Sequence, residues 1–361
     1  MSLKSLSLTN FRNHKKSEFQ FGKTTIIIGK NTAGKTNILE AVNYLSLAKS
    51  FKADQEIDVI HLQESFAKIE GKVEDTDDHV KLSILFNNQK RISPKKYLVN
   101  NVARRAADFA SHFIAVLFTP EDIDIVSGSP GTRRRYIDSI LYKSHKAYRV
   151  VSHIYEKALK HRNRMLHDMR EGKKRYPQNE FDYWDNLLIE HGSTITQMRE
   201  HFVAFVNENP KKIFQFDIKY DKSLVNEERF EKYYEAERAS GVTLIGPQRD
   251  DFFFYYPSAS SGQAFSGEIV REGRAIKEYG SRGEQRLTLL QLKLFEIEYL
   301  KQNTEKNPTL LLDDIFSELD DKNIEKVFKL IPWQQTIITT THEEFVPDAF
   351  KGGEISLIPL E

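Results

Sequence analysis

The sequence predicts an α/β protein whose central sheet is built from two distant parts of the chain, with a mainly helical domain inserted between them. Three observations support this fold class. A β-branched run at residues 24–28 leads through a glycine-containing loop into apolar residues at helical spacing. A second apolar strand, at residues 309–314, ends in two carboxylates. Between the two, apolar positions recur every three or four residues over 134–169 and again over 184–206, which indicates amphipathic helices.

The loop after the first strand carries the phosphate-binding pattern G-x-x-x-x-G-K-[ST]. Its residues, with the one that continues it into the helix, are Gly29, Lys30, Asn31, Thr32, Ala33, Gly34, Lys35, Thr36 and Asn37. Backbone N–H groups of such a loop and the dipole of the following helix bind phosphate. We expect Lys35 to reach the β- and γ-phosphates of ATP and the Thr36 hydroxyl to bind Mg²⁺.

The second strand has the form of a Walker B motif, in which a buried strand ends in acidic residues. We expect Asp313 to hold Mg²⁺, most simply through water, and Asp314 to act as the general base that orients the attacking water. Taken alone, the same residues also fit a strand that is followed by an acidic turn. The phosphate-binding loop upstream favours the Walker B interpretation.

Composition is that of an ordinary globular protein. The chain has 361 residues, 39% of them hydrophobic, a net charge of +1 and no cysteine. Thiolate metal sites and disulfides are therefore excluded. The N-terminus has no apolar run of signal-peptide length, and no segment approaches the roughly 18 apolar residues of a membrane span. We expect a cytoplasmic protein without a membrane partner.

Both halves of the nucleotide site must lie in one sheet, so the layout follows from the motifs. We expect the N-terminal half of the head at 1–128, an inserted helical arm domain at 129–240 and the C-terminal half of the head at 241–361. Further strands are predicted near residues 66–73, 80–86, 112–118 and 213–220. The Ser/Gly-rich stretch 258–262 is predicted to be a hairpin loop.

A helix is predicted to begin at Ser281-Arg282-Gly283-Glu284-Gln285, where Ser281 caps it and Gly283 permits close approach to a phosphate. The S-x-G-x-Q form resembles the signature motif of ABC-type ATPases. In that family the signature closes over the nucleotide of a second subunit. The resemblance therefore implies nucleotide contacts from Ser281, Gly283 and Gln285 across an ATP-dependent homodimer.

Four more segments resemble parts of such heads. Residues 316–320 stand where the family has its D-loop, and the strand at 336–342 ends in His342, which resembles the switch histidine at the γ-phosphate. Residues 8–13 resemble the N-terminal segment of SMC-type heads, whose arginine, here Arg12, lies near the nucleotide. Residues 118–122 and 128–138 resemble the passage from the first half-head into inserted helices.

Across nearly its whole length the chain resembles the RecF family of bacterial recombination mediators. Besides these motifs, residues 159–166, 183–185 and 243–251 are similar to that family. The resemblance implies a weak, DNA-stimulated ABC-type ATPase that is not a nuclease. It also implies dimerisation on ATP, binding to single-strand gaps or single-strand/double-strand junctions, and cooperation with RecO and RecR in loading recombinase.

The chain departs from the family pattern at four places. Thr32 stands where a glycine is usual, and a β-branched residue at positive φ would carry about 1–2 kcal/mol of strain. Residues 120–122 occupy the glutamine loop without a glutamine. Gln248 replaces a histidine, and Glu284 brings an acidic residue into the signature.

Charge distribution favours a DNA partner. From Arg133 to Arg175 there are fourteen Lys and Arg residues against four Asp and Glu. The candidate phosphate contacts are Arg133, Arg134, Arg135, Arg162 and Arg164 on the arm, with a second cluster at Lys90, Arg91, Lys95, Lys96, Arg104 and Arg105. Because no helix-turn-helix or zinc pattern is present, we expect binding without sequence specificity. A basic helical face that serves only solubility remains an alternative.

Other functions are compatible with parts of the pattern. An ABC transporter subunit needs a membrane partner and usually an uninterrupted head, whereas this chain has a basic insert. A nuclease of the overcoming-lysogenization-defect type needs a further carboxylate-bearing domain, for which we expect no room after His342. An ATPase subunit of an SMC-like or phage-defence DNA complex remains the main alternative.

Overall fold

The structure is a computed structural model that describes residues 1–50, 56–75, 78–89, 94–257, 273–314, 334–341 and 355–360. The chain forms two compact units. The first comprises Met1–Asp122 and Lys293–Glu361, and the second comprises Ile123–Leu292. The head is thus assembled from both ends of the chain, as predicted.

The described residues form both strands and helices, which are interspersed along the chain. The strands are β1 (Ser2–Phe11), β2 (His14–Gln20), β3 (Thr24–Gly29), β4 (Phe66–Asp75), β5 (Asp78–Asn87), β6 (Lys95–Val99), β7 (Val102–Arg104), β8 (Ala115–Phe118), β9 (Asp217–Asp221), β10 (Asp251–Tyr255), β11 (Thr309–Asp313), β12 (Thr336–Thr340) and β13 (Ile355–Leu360). The α-helices are α1 (Lys35–Leu47), α2 (Ala106–Phe109), α3 (Asp124–Ser127), α4 (Pro130–Ser144), α5 (Lys146–Arg170), α6 (Gln178–Glu208), α7 (Glu227–Ser240), α8 (Ile276–Tyr279) and α9 (Arg282–Thr304). Single 3₁₀ turns lie at Glu56–Val59, Pro120–Ile123 and Pro247–Arg249.

A parallel sheet of the first unit carries the predicted nucleotide motifs. Its strand order is β13-β3-β12-β11-β8, so β12 separates the strand of the phosphate-binding loop from the strand of Walker B. The register places Ile27, Thr339 and Asp313 side by side. The carboxyl ends of parallel strands share one edge of a sheet, and this register therefore brings both motifs to the same edge.

An antiparallel sheet with the order β2-β1-β4-β5-β6-β7 completes the first unit. Helix α1 contacts strands of both sheets. Its side chains are buried almost all round, as expected for a helix enclosed in a core, and Ile38, Leu39, Val42 and Leu45 are all 0% exposed. This packing fixes the helix N-terminus, which forms one wall of the predicted nucleotide site.

The second unit contains the predicted helical arm. The long apolar pattern resolves into α4 and α5, because His145 between them takes an extended backbone conformation with φ −125°. Helix α6 follows and packs against α5. The predicted strand near residues 213–220 is β9, which pairs antiparallel with β10.

The compact units divide at other positions than the predicted domain boundaries, which stay predictions. The first division lies at 122/123 rather than 128/129, and the second lies at 292/293, within α9, rather than at 240/241. Residues 241–257 are held in the second unit by the β9–β10 pairing and by buried ion pairs. In these, Arg133 binds Asp251 at 2.7 Å and Arg199 binds Asp250 at 2.7 Å. Residue patterns within one segment do not reveal pairing between segments that are far apart in the sequence.

No helix in the described part of the chain is long and apolar enough to cross a membrane. The predicted hairpin loop at 258–262 lies outside the described residues.

Candidate functional site

The phosphate-binding loop has a backbone conformation that requires its second glycine. Gly34 caps α1 in the left-handed region, with φ +96°. A Cβ atom there would lie 2.5 Å from Nδ2 of Asn13 and 2.8 Å from Nε2 of His14, far inside normal contact distance. Thr32 also has positive φ, at 80°, so the strain expected for a β-branched residue at this position is present.

Lys35 lies at the base of the loop and is 7% exposed. Its Nζ donates to the carbonyl oxygens of Gly29 at 2.5 Å and Lys30 at 2.9 Å. Burial lowers the pKa of Lys35, while the nearby carboxylates of Asp314 and Asp313 act in the opposite direction. The ammonium group is therefore held beside the loop by carbonyl groups that a phosphate could replace as partners.

The Walker B carboxylate meets the loop directly. The Oδ1 atom of Asp313 accepts a hydrogen bond from the Thr36 hydroxyl at 3.1 Å and from the Thr339 hydroxyl at 2.6 Å. Burial raises the pKa of Asp313, the two hydroxyl donors lower it, and the charges of Glu121 and Asp314 raise it. The predicted convergence of Thr36 and Asp313 is present.

A cavity of about 220 Å³ opens at this edge of the sheet. It is lined by Asn31, Thr32, Gly34, Lys35, Thr36, Asn37, Asp313 and Asp314. Asp314 follows β11 with φ 47°, and its backbone N–H donates to the carbonyl oxygen of Thr339 at 3.1 Å. The turn places Asp314 at the cavity wall, as its predicted role requires.

Arg12 is not among the residues that line this cavity. Its guanidinium forms a bidentate pair with Glu40 of α1, with Nε–Oε2 and Nη2–Oε1 distances of 2.8 and 2.6 Å, and it donates to the carbonyl oxygen of Asp58 at 2.8 Å. Glu40 is 0% exposed, and the pair raises the pKa of Arg12. Arg12 does not line the cavity, so its geometry here is that of a residue that anchors α1.

Two residues next to Arg12 support the loop and were not assigned from the sequence. The Nε2 atom of His14 lies 3.3 Å from the carbonyl oxygen of Gly34, and Nδ2 of Asn37 donates to Oδ1 of Asn13 at 2.9 Å. Burial lowers the pKa of His14, which favours its neutral form. Sequence motifs do not identify these contacts, because they depend on how β1 and β2 lie against the loop.

The signature segment begins α9 with a capping box. The backbone N–H of Ser281 donates to Glu284 at 2.7 Å, and the backbone N–H of Glu284 donates to the Ser281 hydroxyl at 3.3 Å. The acidic residue that departs from the family pattern thus has a structural role. Gln285 donates to the carbonyl oxygens of Lys277 and Gly280, each at 3.2 Å, which fixes the turn before the helix.

Two parts of the predicted site fall outside the described residues, namely the D-loop at 316–320 and His342. Ser281 and Gly283 are exposed, and the nearest atom to a Cβ on Gly283 would be the Ser281 hydroxyl at 3.9 Å. The signature segment is therefore open to solvent at Ser281 and Gly283.

Two of the arginines predicted to contact DNA are instead part of the fold. Arg133 is 3% exposed and forms a bidentate pair with Asp251 at 2.7 and 2.9 Å. Arg162 is 1% exposed and binds Glu237 at 2.7 Å and Asp185 at 2.5 Å. Their charges are already neutralised inside the second unit, so neither is available to a phosphate.

The other predicted contacts divide into bound and exposed groups. Arg134 donates to the carbonyl oxygen of Asp250 at 2.6 Å, and Lys95 donates to that of Ala48 at 2.9 Å, which leaves both half-buried. The exposed members of the set are Arg135, Arg164, Lys96, Arg104 and Arg105. Lys90 and Arg91 lie outside the described residues.

Comparison with known proteins identifies the family. The model of the RecF/RecN/SMC N-terminal domain matches residues 2–356. The DNA replication and repair protein RecF of Bacillus velezensis is 32% identical, with 94% of this chain and 93% of the relative covered. The chain belongs to the RecF family. RecF of Lachnoclostridium phytofermentans is 34% identical, with 98% and 97% covered.

The solved structures agree with this RecF-family assignment. The recombination mediator protein RecF-ATPrS in the RecFOR pathway has a TM-score of 0.83 at 28% identity, covering 99% of this chain and 96% of that one. The corresponding RecF-ATP structure has a TM-score of 0.82 at 28% identity, covering 96% and 93%. The predicted ABC/SMC-like ATPase head is confirmed. A separate SMC-like or phage-defence ATPase subunit is not favoured, since the curated relatives are RecF proteins over nearly their full length.

Proposed function

We propose that this chain is an ATP-dependent DNA-binding protein of DNA replication and recombinational repair. It binds single-strand gaps or single-strand/double-strand junctions without sequence specificity, dimerises on ATP and helps RecO and RecR load recombinase. The observation that carries the proposal is the cavity where Lys35, Thr36 and Asp313 converge, in a chain of the RecF family. The relatives named RecF in the RecFOR pathway support the partner assignment.

The cavity has the donors that a magnesium nucleotide requires. Backbone N–H groups at the start of α1 and the Lys35 ammonium supply positive charge for phosphates. The Thr36 hydroxyl and the Asp313 carboxylate are hard oxygen ligands of the kind that Mg²⁺ prefers. Bound Mg²⁺ would neutralise charge that develops on the transferred phosphoryl group.

We assign the hydrolytic step to Asp314, which lines the cavity. Asp314 is placed to orient a water molecule toward the γ-phosphate, while Asp313 serves the metal. The strain at Thr32 makes the loop an imperfect cradle, consistent with a weak ATPase. His342, the predicted γ-phosphate contact, completes this proposal.

The exposed signature supports a composite site. Ser281 and Gly283 lie at the exposed start of α9, so this helix N-terminus is open to a ligand from solvent. A second copy of the chain, bringing its own nucleotide, fits this arrangement. ATP would then be the ligand that joins the two copies.

The central experiment measures binding of a fluorescent gapped DNA to the full chain with and without ATP and Mg²⁺. Lys35→Met should abolish stable ATP binding and with it the ATP-dependent part of DNA binding. Asp314→Asn should keep ATP binding and prolong the DNA-bound state, because it removes only the water-orienting carboxylate. Equal loss of nucleotide binding in both variants would contradict the assigned roles, and gap binding indifferent to ATP would overturn the proposed function.

A further inference from the structure

Three aromatic side chains form a contiguous surface on the arm, where α5 and α6 pack together. The rings of His161 and Trp184 are stacked, with centroids 4.5 Å apart and an interplanar angle of 1°. The ring of Tyr183 meets Trp184 edge-on, at 4.8 Å and 76°. We call these three rings the aromatic platform.

The platform is anchored from below. Trp184 packs against a small apolar cluster of Met165, Leu166 and Phe181. Tyr183 and His161 contribute little to that cluster and point outward, with Tyr183 59% exposed and His161 also exposed. Because Trp184 covers one face of the imidazole ring, the exposed area of His161 lies on its other face and edges. The platform thus offers aromatic ring surface to solvent.

Positive charge surrounds these rings. Lys157, Lys160 and Arg164 are exposed on α5, one turn or less from His161. Arg164 is 80% exposed, and its Nε lies 4.0 Å from Oδ2 of Asp168. The exposed turn Lys173-Lys174-Arg175 follows α5 and leads into Tyr176, which packs on the same apolar cluster.

Acidic side chains near the platform are fewer. The exposed ones are Glu156, Glu171, Glu180 and Asp182, of which Glu171 pairs with Arg170 at 3.0 Å. Asp168 is half-buried and accepts a hydrogen bond from the Tyr176 hydroxyl at 2.8 Å. The six exposed basic residues named above therefore outnumber the four exposed acidic ones, which suits a polyanion.

We propose that the aromatic platform binds single-stranded DNA by stacking unpaired bases on Tyr183 and on the free face of His161. The surrounding lysines and arginines contact the phosphates. Stacking on exposed aromatic rings beside a basic track is the general mode of sequence-tolerant single-strand binding. Bases inside a duplex already stack on one another and offer no free face. The proposal rests on the DNA-binding function above and assigns the single-stranded arm of a gap or junction to this surface.

The test separates base stacking from phosphate contact. Three fluorescent probes of equal length are titrated into the full chain with ATP and Mg²⁺: oligo-dT, an abasic phosphodeoxyribose strand and a duplex. The variants are Tyr183→Ala and His161→Ala, with the ring-preserving Tyr183→Phe and His161→Phe beside them. Phe66→Ala, which removes an aromatic ring that is 41% exposed in the first unit, is the matched control.

Each alanine variant should weaken oligo-dT binding about tenfold, within the range expected for loss of a stacked base. Binding of the abasic strand and of the duplex should change less than twofold. The two phenylalanine variants and Phe66→Ala should resemble wild type. Unchanged oligo-dT affinity in folded alanine variants would overturn the proposal and leave the surface to a protein partner. An equal loss on all three probes would overturn it as well, since that indicates a change of charge or fold.

A site-resolved measurement keeps the proposal independent of folding effects. Oligo-dT carrying 5-iododeoxyuridine should photocrosslink to Tyr183 or His161 of the wild-type chain, as read by peptide mass spectrometry. Crosslinks confined to other segments would contradict the platform. A wild-type chain that binds neither these three probes nor the gapped DNA would instead refute the proposed function, so the two failures are distinguishable.

Discussion

Arg162 offers the sharpest test of how the arm is held together. Its guanidinium is 1% exposed, lies 4.4 Å from the ring centroid of Phe230 and pairs with Glu237, which is 0% exposed. It also donates to the Thr243 hydroxyl at 3.0 Å. Arg162→Met removes the cation but leaves the buried carboxylate of Glu237 unpaired. Such a loss costs about 3–5 kcal/mol of unfolding free energy.

The expected result is a large fall in thermal stability. For a unit of this size, about 2–4 °C per kcal/mol predicts a melting temperature lower by roughly 6–20 °C. Arg164→Met is the matched control, because this side chain is 80% exposed and its ion pair is 4.0 Å long. It should change the unfolding free energy by no more than about 0.5 kcal/mol. Circular dichroism at 222 nm against temperature measures both variants.

A double variant identifies the cause. Arg162→Met combined with Glu237→Gln removes the cation and the buried charge together, and it should be more stable than Arg162→Met alone. The reasoning would be refuted if Arg162→Met melted within 1–2 °C of Arg164→Met and lost DNA affinity while folded. In that case Arg162 would belong to a phosphate track after all.

Three further predictions concern the head and its assembly. Thr32→Gly relieves the strain of a β-branched residue at φ 80° but makes the unbound loop more flexible, so ATP affinity should change by about tenfold or less in a nucleotide titration. If the wild-type protein bound no ATP while Thr32→Gly bound it well, the loop of this chain would be degenerate. Ser281→Arg should leave ATP bound to each monomer but prevent the ATP-dependent dimer, as measured by light scattering. A wild-type protein that stays monomeric with ATP at all concentrations would exclude the composite site. Burial lowers the pKa of His14 in the folded protein, so the unfolded chain binds the proton more readily. The contribution of His14 to the free energy of unfolding should therefore be present above about pH 6.5 and be lost as the pH falls below that value. His14→Gln should flatten that part of the melting-temperature profile between pH 7 and 5, and an unchanged slope would assign the effect to other groups.

The sequence by itself determined the local chemistry of the nucleotide site. The spacing of Gly29, Gly34 and Lys35 between a β-branched strand and a helix predicts a phosphate loop because a short stretch of chain contains every part of it. The sharing of one sheet by both halves of the chain followed from the need to bring Asp313 to that loop. The motif implied strain at Thr32 on the condition that its φ is positive, and the φ of Thr32 is 80°.

Only the tertiary structure decided which charged side chains are free. Arg162 and Arg164 stand two positions apart, about 200° around α5, so one is buried against carboxylates while the other is exposed. The carboxylate partner Glu237 lies 75 positions away in the chain, and no local pattern links it to Arg162. The contact of His14 with the loop and the boundary at 292/293 likewise depend on segments that are far apart in the sequence. Periodicity encodes which face of a helix is apolar, whereas the pairing of buried charges depends on which distant segments the fold brings together.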